Sequence, residues 1–298
     1  MFKSEYLLSD GFPPELDWQN CGGLLIDAVT MLNLPHQLEQ WTNAWVYEPL
    51  YVGSPMAALA ELSPRILKVD NPQHPVLQQF LAHTDAEWGY LLFCDGPWQS
   101  LIDHLRWLTV VRMPHEQNVF LRLADPSVVH GLLKLAVEAG DATLFGPCKQ
   151  ILIADGALGC WHLHQRPGPA PTVPQGTRYQ LSVQQTDALD EVSFRNVVMD
   201  LNRHMTHYFP GYQAHVSASG RWEHLHVLAE ESYTRGFNSK LDITLFANIH
   251  GYLGELALQD HPDLERLLTT PSALTPTQRI EKAADIARRR ALNLQEPS

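Results

Sequence analysis

The chain has 298 residues, 45% of them hydrophobic, which is enough to bury a core in each of two lobes. Its 21 basic and 33 acidic residues give a net charge of −12 at pH 7, and residues 1–165 hold 8 of the basic and 18 of the acidic side chains, so nucleic acid is excluded as a partner of that half. No cationic opening followed by an apolar run, no window of membrane-spanning length and no C-x-x-C among Cys21, Cys94, Cys148 and Cys160 is present, which predicts a cytoplasmic protein without membrane contact, with reduced and mostly buried thiols and no zinc knuckle.

Along the first half, short apolar runs rich in branched and aromatic residues predict strands at Leu24-Leu25-Ile26, Trp45-Val46-Tyr47, Ile66 to Val69, Tyr90 to Phe93, Val119 to Leu123 and Ile151-Leu152-Ile153. Between them, Trp98, Leu101, Ile102, Leu105 and Leu108 recur at three- and four-residue steps and predict a helix packed on the sheet. Val129, Leu132, Leu133 and Ala136 predict a second helix, whose start is written as Asp125 for the cap and Pro126 for the first turn.

Residues 166–176 alternate proline (Pro167, Pro169, Pro171, Pro174) with Gly168 and Gly176 and read as a semi-rigid linker. Beyond it the two-residue period fades. Leu189, Phe194, Val197, Leu201, Met205 and Tyr208 form a helical stripe that stops at Pro210-Gly211, Ser239 and Asp242 make a capping box ahead of Leu245 to Leu253, and further helices begin near Pro262 and Pro276. The predicted architecture is an α/β N-terminal lobe with a mixed β-sheet (1–165), the linker (166–176) and an all-α C-terminal lobe (177–298). The arginines Arg288, Arg289 and Arg290 read as the solvated end of a helix.

Reaction chemistry is hard to find. Neither G-x-G-x-x-G, nor the phosphate-binding G-x-x-x-x-G-K-[ST], nor the nucleophile turn G-x-S-x-G occurs. The 15 histidines include the close pairs His162/His164, His204/His207 and His224/His226. His162 and His164 share one strand face and could share a metal, but no third ligand stands at a motif spacing, so they read as the solvated side of an edge strand with Trp161 and Leu163 facing the core. No catalytic, cofactor-binding or metal-binding residue is assigned. Trp41, Trp45, Trp98 and Trp107 fall at or beside patterned apolar positions and read as core, leaving one or two aromatic residues for a partner surface.

Four stretches in residues 20–155, taken in order, resemble the Tap/TEC adaptor-chaperone family of type VI secretion, a domain first catalogued as one of unknown function. They are Leu24-Leu25-Ile26-Asp27-Ala28; Pro49-Leu50-Tyr51 through Leu62-Ser63-Pro64-Arg65-Ile66-Leu67; Ser100-Leu101-Ile102-Asp103-His104-Leu105-Arg106; and Phe120-Leu121-Arg122-Leu123-Ala124-Asp125-Pro126 with Leu132-Leu133 and Leu144-Phe145-Gly146-Pro147. The stretch Tyr233 to Asp242 is similar to a helical segment found downstream in relatives. The chain departs from the pattern at Leu123, where an aromatic residue is common, and at Met113 to Glu116, where a glycine turn is common.

The resemblance implies a non-enzymatic adaptor that binds one cognate secreted effector and loads it onto a VgrG-type spike, with a groove between the lobes gripping an effector segment. A baseplate assembly component and a histidine-metal hydrolase stay open as alternatives. Physically, Asp103 or His104 beside Arg106 can pair on the helix surface, and Arg122 can reach Asp27 or Asp125. Asp27, Pro49, Leu50, His104, Leu105, Arg106, Arg122, Asp125, Pro126, Phe145, Gly146 and Pro147 are therefore read as scaffold, and the partner-binding residues are not assigned.

Overall fold

The computed structural model describes residues 6–31, 33–41, 46–52, 54, 56–172 and 176–295. The chain divides into two compact units between Val192 and Ser193. In chain order the first holds β1 (Tyr6–Leu7), β2 (Cys21–Ile26), α1 (Leu34–Trp41), β3 (Tyr47–Pro49), β4 (Arg65–Leu67), α2 (Pro75–Ala82), β5 (Gly89–Cys94), α3 (Trp98–Leu108), β6 (Val110–Arg112), β7 (Asn118–Phe120), α4 (Pro126–Glu138), β8 (Cys148–Asp155) and β9 (Cys160–Gln165). The division falls inside α5 (Val183–Tyr208), which is followed by α6 (Ala218–Thr234), α7 (Lys240–Leu253), α8 (Ala257–Asp260), α9 (Pro262–Thr269) and α10 (Pro276–Gln295). An α/β lobe followed by a helical lobe is thus the architecture. Among the described residues no helix is long and apolar enough to cross a membrane.

Seven strands form one sheet in the order β1-β9-β8-β5-β2-β4-β3, and β6 pairs with β7 apart from it. Each named pairing is antiparallel, and the parallel component of the expected mixed sheet is reduced to an isolated bridge between Arg112 and Gln180. The central strands are continuous apolar runs because the sheet is covered on both faces. Along β5, Tyr90, Leu92 and Cys94 enter the core under α3 and α4, while Leu91 and Phe93 enter the core on the opposite face with α1 and α2. Ile151 and Ile153 alternate with Leu152 and Ala154 along β8 in the same way.

The helix starts follow their local chemistry. Asp125 accepts from the amides of Ser127 and Val128 at the start of α4, with Pro126 in the first turn, and Ser239 accepts from the amide of Asp242 at the start of α7. Arg166, the first residue of the predicted linker, continues the strand ladder through its amide to the Lys149 carbonyl. Beyond that segment, Tyr179, Leu181 and Val192 are buried in the first unit's core. The stripe expected on α5 is therefore divided, with Leu189 packed in the first unit and Leu201 and Met205 buried in the second, while Tyr208 is 65% exposed. The second core joins Leu201 and Met205 with Leu225, Phe237, Phe246, Leu264 and Ile280. Trp45 and Pro174 lie outside the described residues.

Candidate functional site

Helix α3 carries the densest set of motif residues, and each has a structural partner. Leu105 is buried against the sheet. Arg106 reaches β3, where its Nη2 donates to the Glu48 carboxylate at 3.4 Å and to the Pro49 carbonyl at 3.3 Å. The expected pairing of Arg106 with Asp103 or His104 does not form, because the guanidinium turns toward the strand. Leu50, fully buried, is held there by its amide on the Pro64 carbonyl at 3.0 Å.

His104 turns the other way. Burial lowers its pKa, so the ring is neutral and its Nε2 donates to the Leu144 carbonyl at 3.1 Å. That carbonyl opens the stretch in which Phe145 is fully buried and Gly146 takes a left-handed φ of +53°. A Cβ on Gly146 would sit 2.4 Å from the His104 ring, so the glycine and the histidine fit each other sterically. Pro147, half-buried, follows in the same turn.

A second knot joins the first and last motif stretches. Arg122, just past β7, spans two buried carboxylates, Asp27 and Asp125, at 3.4 Å each. Asp27 also accepts from the Val29 amide at 2.9 Å and the Thr30 hydroxyl at 3.1 Å, while Asp125 caps α4. Either carboxylate was a predicted partner of Arg122, and the structure brings in both. It also adds Glu87, which the sequence reading missed. Glu87 sits at φ +50° with its carboxylate accepting from the Gly156 amide at 2.8 Å and the Ser127 hydroxyl at 3.4 Å. A lone glutamate between Ala86 and Trp88 carries no local signal for such a role.

The face that holds the predicted histidine pair is not solvated. β9 is paired with β8 along its length and with β1 only at Cys160 and Trp161, and α4 places His130 against the face that holds His162 and His164. His130 stacks on His162 with ring centres 3.8 Å apart, and its Nδ1 lies 3.0 Å from the His164 Nε2. His162 in turn bonds Asp155 at 3.1 Å. Burial, with His130 and His162 adding to it, pushes the His164 pKa down to about 3. The helix that supplies His130 and the strand that carries His162 and His164 were both legible, but their packing against each other was not. Among the described residues no group of three or more His, Cys, Asp or Glu side chains is arranged to hold a metal ion.

The motif residues also border open space. A groove of about 630 Å³ in the first unit is lined by Asp95, Pro97, Ser100, Asp103, His104, Trp107, Gly146, Pro147, Pro171 and Thr172. Arg166 fixes one wall, with its Nη2 2.7 Å from Asp95, its Nη1 3.3 Å from the Gly146 and Cys148 carbonyls, and its Nε 2.9 Å from the Gly168 carbonyl. The bond from Arg166 holds the Asp95 carboxyl below its ordinary range. Trp107, expected in the core, is half-buried, and its indole N–H donates to the Thr177 carbonyl at 2.6 Å. Asp103 is exposed and accepts from Gln99 at 2.8 Å. Groove and frame therefore share one helix: Ser100, Asp103 and Trp107 face the opening at helical spacing, and Leu101, Leu105 and Leu108 face the sheet.

Residues 24–139 match the model of a family described as Domain of unknown function (DUF4123). Across 287 residues the chain is 28% identical to Accessory protein VasW of Vibrio cholerae serotype O1, which covers 95% of this chain and 92% of that protein. No solved structure matches significantly.

Proposed function

We propose, for a chain that carries the DUF4123 domain of the type VI secretion effector adaptors, a non-enzymatic role in type VI secretion: it binds a cognate effector and hands it to the VgrG spike. The observation that supports this reading is the division of labour around α3. His104, Arg106 and Gly146 are occupied in holding helix to sheet, while the groove beside them offers a tryptophan, three prolines and an exposed carboxylate to an extended polypeptide. The groove's aromatic and proline surface suits the apolar side chains of such a segment, and Asp103 suits a basic residue within it.

The test is a pull-down with the full chain from its native host, in which a secreted toxin and a spike protein are the expected partners. Trp107→Ala and Asp103→Lys should each weaken effector capture by about tenfold or more, the loss expected of a contact at the centre of an interface, with circular dichroism unchanged in Asp103→Lys. Undiminished capture by both variants would remove the groove from the proposal. Failure to capture any effector or spike, or turnover of a small substrate by the purified chain, would remove the adaptor reading itself.

A further inference from the structure

Two of the cysteines have been brought together. Cys94 ends β5, Cys148 opens β8, and the two are register partners across the antiparallel pair with their sulfurs 3.1 Å apart. A disulfide needs about 2.05 Å, so the sulfurs have roughly 1 Å to close, a shift that side-chain rotation can supply with the strands left where they are. Room for the pair is made by Gly22 on β2, where a Cβ would come within 2.9 Å of the Cys94 sulfur. The flanking backbone is already tied, since the Asp95 amide donates to the Pro147 carbonyl at 3.2 Å and Arg166 holds the Cys148 carbonyl.

We propose that Cys94 and Cys148 are an oxidisable dithiol, and that a small peroxide converts the reduced pair to a cross-strand disulfide in the folded chain. The balance is simple. The Cys94 sulfur, the more exposed of the two at 7% against 1%, attacks one peroxide oxygen and becomes a sulfenic acid as the first water leaves. The Cys148 sulfur then displaces the hydroxyl group, which departs with the Cys148 proton as a second water. Two thiols lose two electrons and two protons, and one peroxide becomes two waters. Burial pushes the Cys148 thiol pKa up, with its contact to Cys94 adding to the effect, so the second step quickens as the pH is raised. The bond would lie directly beneath Asp95 and Pro147, which line the groove, and would staple the floor on which they stand.

The experiment treats the native full-length chain with excess hydrogen peroxide, unfolds it, alkylates the remaining thiols and maps the peptides by mass spectrometry. The expected product is a linked Cys94–Cys148 peptide pair lighter by two hydrogens, reversible by dithiothreitol, with Cys160 alkylated as in the untreated chain. Cys148→Ser should abolish the link and leave Cys94 as a sulfenic acid that dimedone traps. Full alkylation of both Cys94 and Cys148 after a treatment that oxidises exposed methionines would overturn the proposal, as would a link from either residue to Cys21 or Cys160. The readout is independent of any effector, so its failure leaves the adaptor reading standing.

Discussion

Replacing Gly146 with alanine puts a methyl group where the structure has none to spare. The residue sits at φ +53°, where an L side chain costs about 1–2 kcal/mol, and its Cβ would lie 2.4 Å from the His104 ring. Relieving that overlap means shifting a histidine whose ring is buried and bonded to the Leu144 carbonyl, an overpacking cost of about 1–3 kcal/mol. The total, about 2–5 kcal/mol, is a large part of the 5–15 kcal/mol that typically separates a folded domain from its unfolded chain. Urea unfolding followed by tryptophan fluorescence suits the measurement, because seven of the eight tryptophans precede Val192 and report on the first unit. The steric and backbone parts separate in a double-mutant cycle. Adding Gly146→Ala to a His104→Ala background should cost only the backbone share, about 1–2 kcal/mol, since the ring it strikes is gone. Equal costs in the two backgrounds, or a loss below about 0.5 kcal/mol in the wild type, would refute the claim that histidine and glycine are fitted to each other.

Asp125→Ala removes two capping bonds from α4 and one of the two carboxylates around Arg122, and should destabilise the chain by about 1–2 kcal/mol in the same urea assay. Asp125→Asn, which keeps an acceptor for the cap, should lose less. A different dependence comes from His164, whose folded pKa of about 3 lies below the ordinary 6.5. Above pH 6.5 the ring is neutral in both states and its contribution is fully present. As the pH falls from 6.5 toward 3, the unfolded chain takes up a proton that the folded chain refuses, so stability declines by up to about 1.4 kcal/mol per pH unit. His164→Asn should flatten that part of the stability profile relative to the wild type, and parallel profiles would contradict the burial of a neutral ring beside His130 and His162.

The sequence was most legible where a single local rule decides the outcome. Asp125-Pro126 starts α4 and Ser239 caps α7 because free amides at a helix start demand an acceptor. It was least legible where a partner comes from far along the chain. Nothing near His162 and His164 announces that α4 will cover them, and nothing near Arg106 announces Glu48 and Pro49, 58 and 57 residues away. The strands show the same limit. A run such as Tyr90-Leu91-Leu92-Phe93 reports that both faces are buried, which is correct, but two-sided burial does not encode strand direction, and the neighbours of β5 are antiparallel. Helix α6 went unread although Ser217 caps it, because its buried residues Leu225, Leu228, Ala229 and Ser232 make a thin stripe.

The groove illustrates why a scaffold can be recognised while its specificity stays hidden. Ser100, Asp103 and Trp107 follow one another at steps of three and four residues, a spacing as regular as that of Leu101, Leu105 and Leu108, yet in the sequence Asp103 reads as helix surface and Trp107 as core. What distinguishes it is the wall opposite, built from the turn at Gly146-Pro147 and the segment at Pro171 and Thr172, which is distant in the chain. Since Asp103 lies outside the bonds that tie α3 to the sheet, that position can change its side chain without loosening His104 or Arg106, whereas Trp107 also packs on the core beside His104 and holds the Thr177 carbonyl. A frame of this kind separates the residues that keep the fold from those that the proposed partner would meet, and substitutions at Asp103 should alter which segment binds before they alter stability.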